Sequence, residues 1–155
     1  MRWLAFIALA LVGCGHLSLG QAITAHNVFS QMVADASDAY SPLYGAAAAA
    51  HMGQDDPEYY KAMLPYDDVV AALRACREAE ITLNNVLAQC IAGGDGICDD
   101  SRVGFACAAS ALDLLSTSYG QIKGGAPLYA ATAVAKTQLT ELANGATCGA
   151  PYGSH

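Results

Sequence analysis

The sequence predicts an all-α protein built as a four-helix bundle and stapled by disulfides. Of its 155 residues, 54% are hydrophobic and 14% are charged, which lies outside the polar, highly charged range of disordered chains. Alanine is abundant and long stretches contain neither glycine nor proline, which favours helix. Short links between successive helices make neighbouring helices antiparallel, and the length fits a single domain.

The N-terminus predicts a secretory leader over residues 1–22, followed by one helical domain over residues 23–155. Arg2 supplies the basic start and residues 3–13 are almost wholly apolar. Gly20-Gln21-Ala22 then offers the small residues that a signal peptidase needs. We therefore expect a secreted, extracellular protein.

An alternative leader is also present. Leu11-Val12-Gly13-Cys14 fits the box of a bacterial lipoprotein, in which Cys14 is acylated and becomes the first mature residue. This alternative predicts a chain anchored to a membrane.

The first predicted helix begins at Thr24, with Pro42 as a kink and Gly53 as its end. Residues 54–65 hold two prolines and three acidic residues, which predicts a loop with one helical turn after Pro57. The inward positions of the helix are Val28, Phe29, Met32, Val33, Ala36, Tyr40, Leu43 and Tyr44.

A longer second helix is predicted from Tyr66 to Ala92, ending at Gly93-Gly94. Its carboxylates Asp67 and Asp68 lie in the first turn, where they interact favourably with the helix dipole. The apolar stripe is Val69, Leu73, Cys76, Leu83, Leu87 and Cys90.

The third and fourth helices are predicted from the Asp100-Ser101 cap to Lys123, and from Pro127 to Gly145. The inward positions are Val103, Cys107, Ala111, Leu114 and Tyr119 in the third helix, and Leu128, Ala131, Ala135, Leu139 and Leu142 in the fourth.

Five cysteines remain after removal of the leader. Cys76 and Cys90 lie about 21 Å apart along one helix at 1.5 Å per residue, which is too far for a disulfide. The antiparallel bundle brings the other cysteines to one end, so we expect two bridges among Cys90, Cys98, Cys107 and Cys148. The preferred pairing joins Cys90 to Cys107 and Cys98 to Cys148, with the other two pairings open. Cys76 is expected to be a buried free thiol.

The sequence contains no motif for catalysis. It has no nucleophile elbow, no zinc-protease motif and no phosphate-binding glycine loop, and its histidines lie away from its cysteines. We therefore expect a non-enzymatic protein without cofactor or metal. Its net charge of -7 argues against nucleic acid and anionic lipid as partners.

The most conspicuous polar and aromatic segment holds Asp55, Asp56, Glu58, Tyr59 and Tyr60. Exposed tyrosines flanked by carboxylates suit protein binding, because tyrosine supplies contact area at low entropic cost. The alternative is that Tyr59 or Tyr60 only closes the end of the bundle over the core.

These features resemble the small salivary proteins of anopheline mosquitoes typified by albicin and anophensin. The leader Met1-Arg2-Trp3-Leu4-Ala5-Phe6 and the cysteines Cys90, Cys98, Cys107 and Cys148 carry the resemblance. It implies a non-enzymatic inhibitor of the host alternative complement pathway that binds the C3 convertase, or of contact activation in the kallikrein-kinin system. Two other hypotheses stay open: a carrier of a small hydrophobic ligand, and a bacterial lipoprotein.

Overall fold

The computed structural model describes residues 15–53 and 55–149, and in these ranges the chain forms four α-helices. The apolar part of the predicted leader, Cys14 of the lipoprotein box and the end of the chain lie outside the described residues. The helices are α1 (Leu19–Ala50), α2 (Asp56–Gly93), α3 (Arg102–Gln121) and α4 (Ala126–Ala143), with a 3-10 turn at Asp99–Ser101 before α3. The predicted all-α bundle is confirmed.

Helix α3 lies at the centre of the packing. It contacts α4 and α2 most extensively, whereas α1 packs mainly on α2 and touches α4 over a smaller area. Twelve of the 20 residues of α3 are buried. Its largest fully buried side chains are Phe105, Leu112, Leu115 and Tyr119.

The inward face predicted for α3 is partly wrong, because Val103 and Leu114 are exposed. Two neighbouring helices cover most of the circumference of α3, so only a narrow stripe remains for solvent. That stripe follows helical spacing through the positions that are exposed: Val103, Ser110, Asp113, Leu114, Thr117, Gly120 and Gln121.

Helix α1 starts five residues before the predicted start at Thr24. Ser18 caps it, with the Ser18 hydroxyl accepting from the Gln21 amide at 3.3 Å and the Gln21 side chain accepting from the Ser18 amide at 3.0 Å. This reciprocal capping box satisfies two amides that have no partner within the helix. Residues 15–22, assigned to the leader from sequence, therefore lie within the folded chain. Pro42 lies inside α1 and does not end it.

The loop predicted over residues 54–65 is wrong from Asp56 onward, because α2 begins there and continues through Pro65. Pro57 occupies the first turn, where its missing amide costs nothing. Pro65 does cost one backbone hydrogen bond. Met63 and Tyr66 are buried on either side of it, and the burial of these side chains outweighs that cost.

The disulfide pairing preferred from sequence is also wrong. The structure joins Cys90 to Cys98 and Cys107 to Cys148, with Cα–Cα distances of 5.3 and 4.7 Å. The turn after α2 doubles back, so Cys98 meets the last turn of that helix. Cys107 lies where α3 faces α4, next to the segment that follows α4.

Candidate binding surface at the α1–α2 hairpin tip

The hairpin of α1 and α2 extends past the turn between α3 and α4. A Cβ added to Gly124 in that turn would lie 2.8 Å from the Leu43 side chain, so the turn meets α1 at Leu43. On the other side, the Ser118 hydroxyl lies 3.4 Å from the Asp68 carbonyl, close to the end of α3. The last two turns of α1, roughly 10 Å of helix, and the first turns of α2 therefore form a projecting end.

Five tyrosines from both helices follow one another at this end. The rings of Tyr40 and Tyr44 on α1 lie 5.7 Å apart, and Tyr44 meets Tyr66 of α2 edge to face at 6.2 Å. Tyr59 and Tyr60 form a second edge-to-face pair at 6.0 Å. Such pairs stabilise by about 0.5–1.5 kcal/mol beyond the area they bury, and the pair of Tyr44 and Tyr66 links α1 to α2.

The outer part of this cluster is open to solvent. Tyr60 is 68% exposed and Leu64, one helical turn further along α2, is 58% exposed. Tyr44 is 38% exposed and Met52, in the turn between the helices, is 81% exposed. We call these four residues, together with the half-buried Tyr59, the tyrosine tip.

The charges near the tyrosine tip are mostly negative. Asp55 and Glu58 are exposed, and the Asp55 side chain makes no capping hydrogen bond to α2. Lys61 is the nearest basic residue along α2. Asp56 is the first residue of α2, and its side chain lies outside what the structure describes. An apolar surface bordered by carboxylates is complementary to a partner surface with basic groups around an apolar centre.

The phenol groups of the cluster are suited to contact rather than to proton transfer. Partial burial, and then the neighbouring Tyr44 hydroxyl, raise the pKa of Tyr59 above its ordinary value. Partial burial and Tyr44 also raise the pKa of Tyr40. These hydroxyls therefore stay protonated at neutral pH, where each offers a hydrogen-bond donor and acceptor beside an apolar ring.

The residues predicted from sequence divide between the two hypotheses for this segment. Tyr59 packs against the core, as expected of a residue that closes the bundle end, whereas Tyr60 is exposed and available to a partner. Tyr44, Met52 and Leu64 were not predicted as part of this surface. Tyr60 and Leu64 stand four residues apart, which is a detectable apolar pair once residues 56–65 are recognised as helix.

A concave region lies between α3 and α4 beside the Cys107–Cys148 disulfide. It is an open groove of about 380 Å³, with the ion pair of Asp113 and Lys136 in its wall. A carrier of a hydrophobic ligand needs a mostly apolar site that buries most of the ligand. The lining of the groove is mostly apolar, but its open shape would leave much of such a ligand in water.

Cys76 is free and fully buried on α2. Burial, reinforced by the nearby Glu80 carboxylate, raises the pKa of its thiol to about 12. A thiol with such a pKa holds almost no thiolate at neutral pH, so Cys76 is a poor nucleophile.

Comparison with family models, curated proteins and solved structures finds no match to this chain. Within residues 15–53 and 55–149, no three histidine, cysteine or acidic side chains gather where a metal ion could bind. Over the same residues, no helix combines the length and the hydrophobicity that crossing a bilayer requires.

Proposed function

We propose that this chain is an extracellular, non-enzymatic binding protein that recognises a partner protein through its tyrosine tip. The observation that carries the proposal is the exposed aromatic and apolar surface on a hairpin that projects past the rest of the bundle. Tyrosine is enriched in protein interfaces and at their energetic centres, because it combines a large apolar ring with a hydrogen-bonding end.

The disulfides support the extracellular part of the proposal. Cys90–Cys98 and Cys107–Cys148 are of the kind that form and persist in oxidising compartments and are rare in the cytosol. The apolar N-terminal stretch of the sequence supports the same compartment.

The partner expected for the tyrosine tip carries basic side chains around an apolar patch. The whole chain has 14 acidic against 7 basic residues, so its field attracts such a surface at long range. The resemblance to the salivary proteins suggests plasma as the first fluid to search. Inhibition of the alternative complement pathway at the C3 convertase, and of contact activation, are the activities to assay first.

The test compares capture of plasma proteins by three forms of the chain. The tip variant carries Tyr60→Ala and Leu64→Ala. The control variant carries Leu114→Ala and Tyr129→Ala, which remove apolar side chains of similar exposure from α3 and α4. We expect the affinity of the tip variant for a captured protein to fall roughly tenfold or more, because truncating residues at the centre of an interface has effects of this size. The control variant should keep the affinity of the parent protein. Equal capture by all three forms would contradict the proposal.

Charge gives an independent check on the same surface. The double variant Asp55→Asn and Glu58→Gln should associate more slowly with the captured protein, and the difference from the parent should shrink as salt screens the charges. Surface plasmon resonance at low and high salt measures both. An association rate that is independent of salt in the parent protein would exclude a basic partner surface.

A further inference from the structure

We infer that residues 17–22 belong to the mature folded domain, so that the leader is cut on the N-terminal side of Leu17 rather than after Ala22. The inference concerns a processing site and is independent of the partner proposed above. It rests on the contacts that tie this short segment to three other parts of the bundle.

Leu17 is the centre of these contacts. Its side chain is fully buried in the core. Its carbonyl accepts a 2.7 Å hydrogen bond from the Cys98 amide, and its amide donates to the Asp99 carboxylate at 2.8 Å. Ser18 and Ile97 form an antiparallel bridge, next to a 2.9 Å bond from the Leu19 amide to the Gly96 carbonyl. The segment is thus paired like a short strand with the turn after α2.

Arg102 connects the same segment to the far end of the chain. Its guanidinium donates to the Gly15 carbonyl and to the Leu142 carbonyl, both at 2.8 Å, and to the Asp99 carboxylate at 3.1 Å. His16 pairs with the other oxygen of Asp99. The side chain of Arg102 is only 12% exposed, so its charge depends on these partners rather than on water.

A cut after Ala22 would remove all of these partners together. It would delete the buried Leu17 and Ala22 side chains, the capping box of α1 and the Gly15 carbonyl that Arg102 binds. Buried apolar side chains and satisfied polar groups of this kind are properties of a folded domain. A leader that is discarded has no need of them.

The first test reads the N-terminus of the natural product. The full chain is expressed in a secreting host, and the mature protein is measured by intact mass and N-terminal peptide mass spectrometry. We expect the first residue of the mature chain to be Leu17 or an earlier residue. An acylated Cys14 as the first residue also meets this expectation. A mature chain that begins at Ser18 or later overturns the inference.

The second test uses the stability of the secreted protein. Leu17→Ala should lower its Tm by roughly 5–15 °C, as expected for truncation of a fully buried leucine. Ile23→Ala, a truncation at an exposed position of α1, should leave the Tm almost unchanged. If Leu17→Ala has no effect on the Tm of secreted material, residue 17 is absent from the mature fold and the inference fails. The readout is independent of binding to any partner, so it separates this inference from the proposed function.

Discussion

In this bundle, individual polar side chains form hydrogen bonds that link one helix to another. The Tyr119 hydroxyl, fully buried on α3, donates to the Ala36 carbonyl of α1. Burial raises the pKa of this hydroxyl to about 12, so it is protonated and can donate at neutral pH. Ser116 on the same helix donates to the Tyr129 carbonyl of α4 at 3.3 Å. These buried hydrogen bonds from α3 therefore set the position of α1 and α4 along their axes, in addition to the apolar area that α3 buries.

The environment of Asp99 leads to a prediction of how the stability of the folded state depends on pH. Hydrogen bonds from the Leu17 amide and from His16, with a smaller effect of Arg102, lower the pKa of Asp99 from 3.8 to about 2. A carboxyl whose pKa is lowered by folding stabilises the folded state above its unfolded pKa, and this contribution is lost as it becomes protonated. The stabilisation by Asp99 should therefore be complete above about pH 5 and should disappear as the pH falls from about 4 towards 2.

The measurement is the Tm of the parent protein and of Asp99→Asn between pH 7 and pH 2. We expect the variant to be less stable at neutral pH, with a gap that narrows below about pH 4. Asp100→Asn removes an exposed carboxylate at the adjacent position and serves as the control for a change of net charge. A gap between parent and Asp99→Asn that is constant over the whole range would contradict the assigned pKa.

At the level of elements, the contact between α2 and α3 depends on Gly104. A Cβ added there would lie 2.9 Å from Val86 Cγ2, 3.0 Å from Leu83 Cδ1 and 3.4 Å from Leu83 Cα. Leu83 is fully buried, so its side chain has little room to move. Gly104→Ala should cost about 1–3 kcal/mol through overpacking, which outweighs the gain of about 1 kcal/mol in helix propensity.

Gly45 in α1 provides the matched control, because a Cβ there meets no atom within 4 Å. Gly45→Ala should stabilise the protein by about 0.5–1 kcal/mol. Urea unfolding of both variants gives the two free energies of unfolding. If Gly104→Ala stabilises the protein as much as Gly45→Ala does, α2 and α3 do not approach each other as closely at Gly104 as the structure shows.

The limits of element prediction are clear in α2. Its C-terminal part followed from the spacing of Val69, Cys76, Leu83 and Leu87, all of which are buried. Its start was missed because Pro57, Pro65 and the acidic residues are local signals for a loop. What overrides them is the burial of Met63 and Tyr66. Tyr66 meets Tyr44 of α1, a long-range contact that no local window contains. The tyrosine tip was only partly found for the same reason, since Tyr44 lies on the other helix.

For the whole molecule, the sequence predicted the class of fold better than it predicted the contacts between segments that are distant in the chain. Helical periodicity and composition are local properties, and they were sufficient for an all-α bundle. Arg102 forms hydrogen bonds with Gly15, Asp99 and Leu142, and Gly15 lies 87 residues away from Arg102 in the chain. Nothing near Arg102 in the sequence distinguishes it from a surface arginine, so this junction needed the three-dimensional structure.

The two disulfides close loops of very different length, and we therefore expect them to contribute unequally to the stability of the protein. Cys90 and Cys98 are 8 residues apart, whereas Cys107 and Cys148 are 41 apart. Because a longer closed loop restricts the unfolded chain more, the chain-entropy relation gives about 2.5 kcal/mol for the first bridge and about 4 kcal/mol for the second. Guanidinium unfolding should therefore show a larger loss for the pair Cys107→Ala and Cys148→Ala than for the pair Cys90→Ala and Cys98→Ala.

The connectivity behind this prediction can be checked on the unreduced parent protein with trypsin. Cleavage after Arg77 and Arg102 leaves Cys90 and Cys98 together in the peptide of residues 78–102. The structure therefore predicts that this peptide carries an internal disulfide and is released alone. Residues 103–123 should remain joined to the peptide that begins at Thr137 and contains Cys148. Either alternative pairing links all three peptides into one species, because both cysteines of residues 78–102 would then bond outside it.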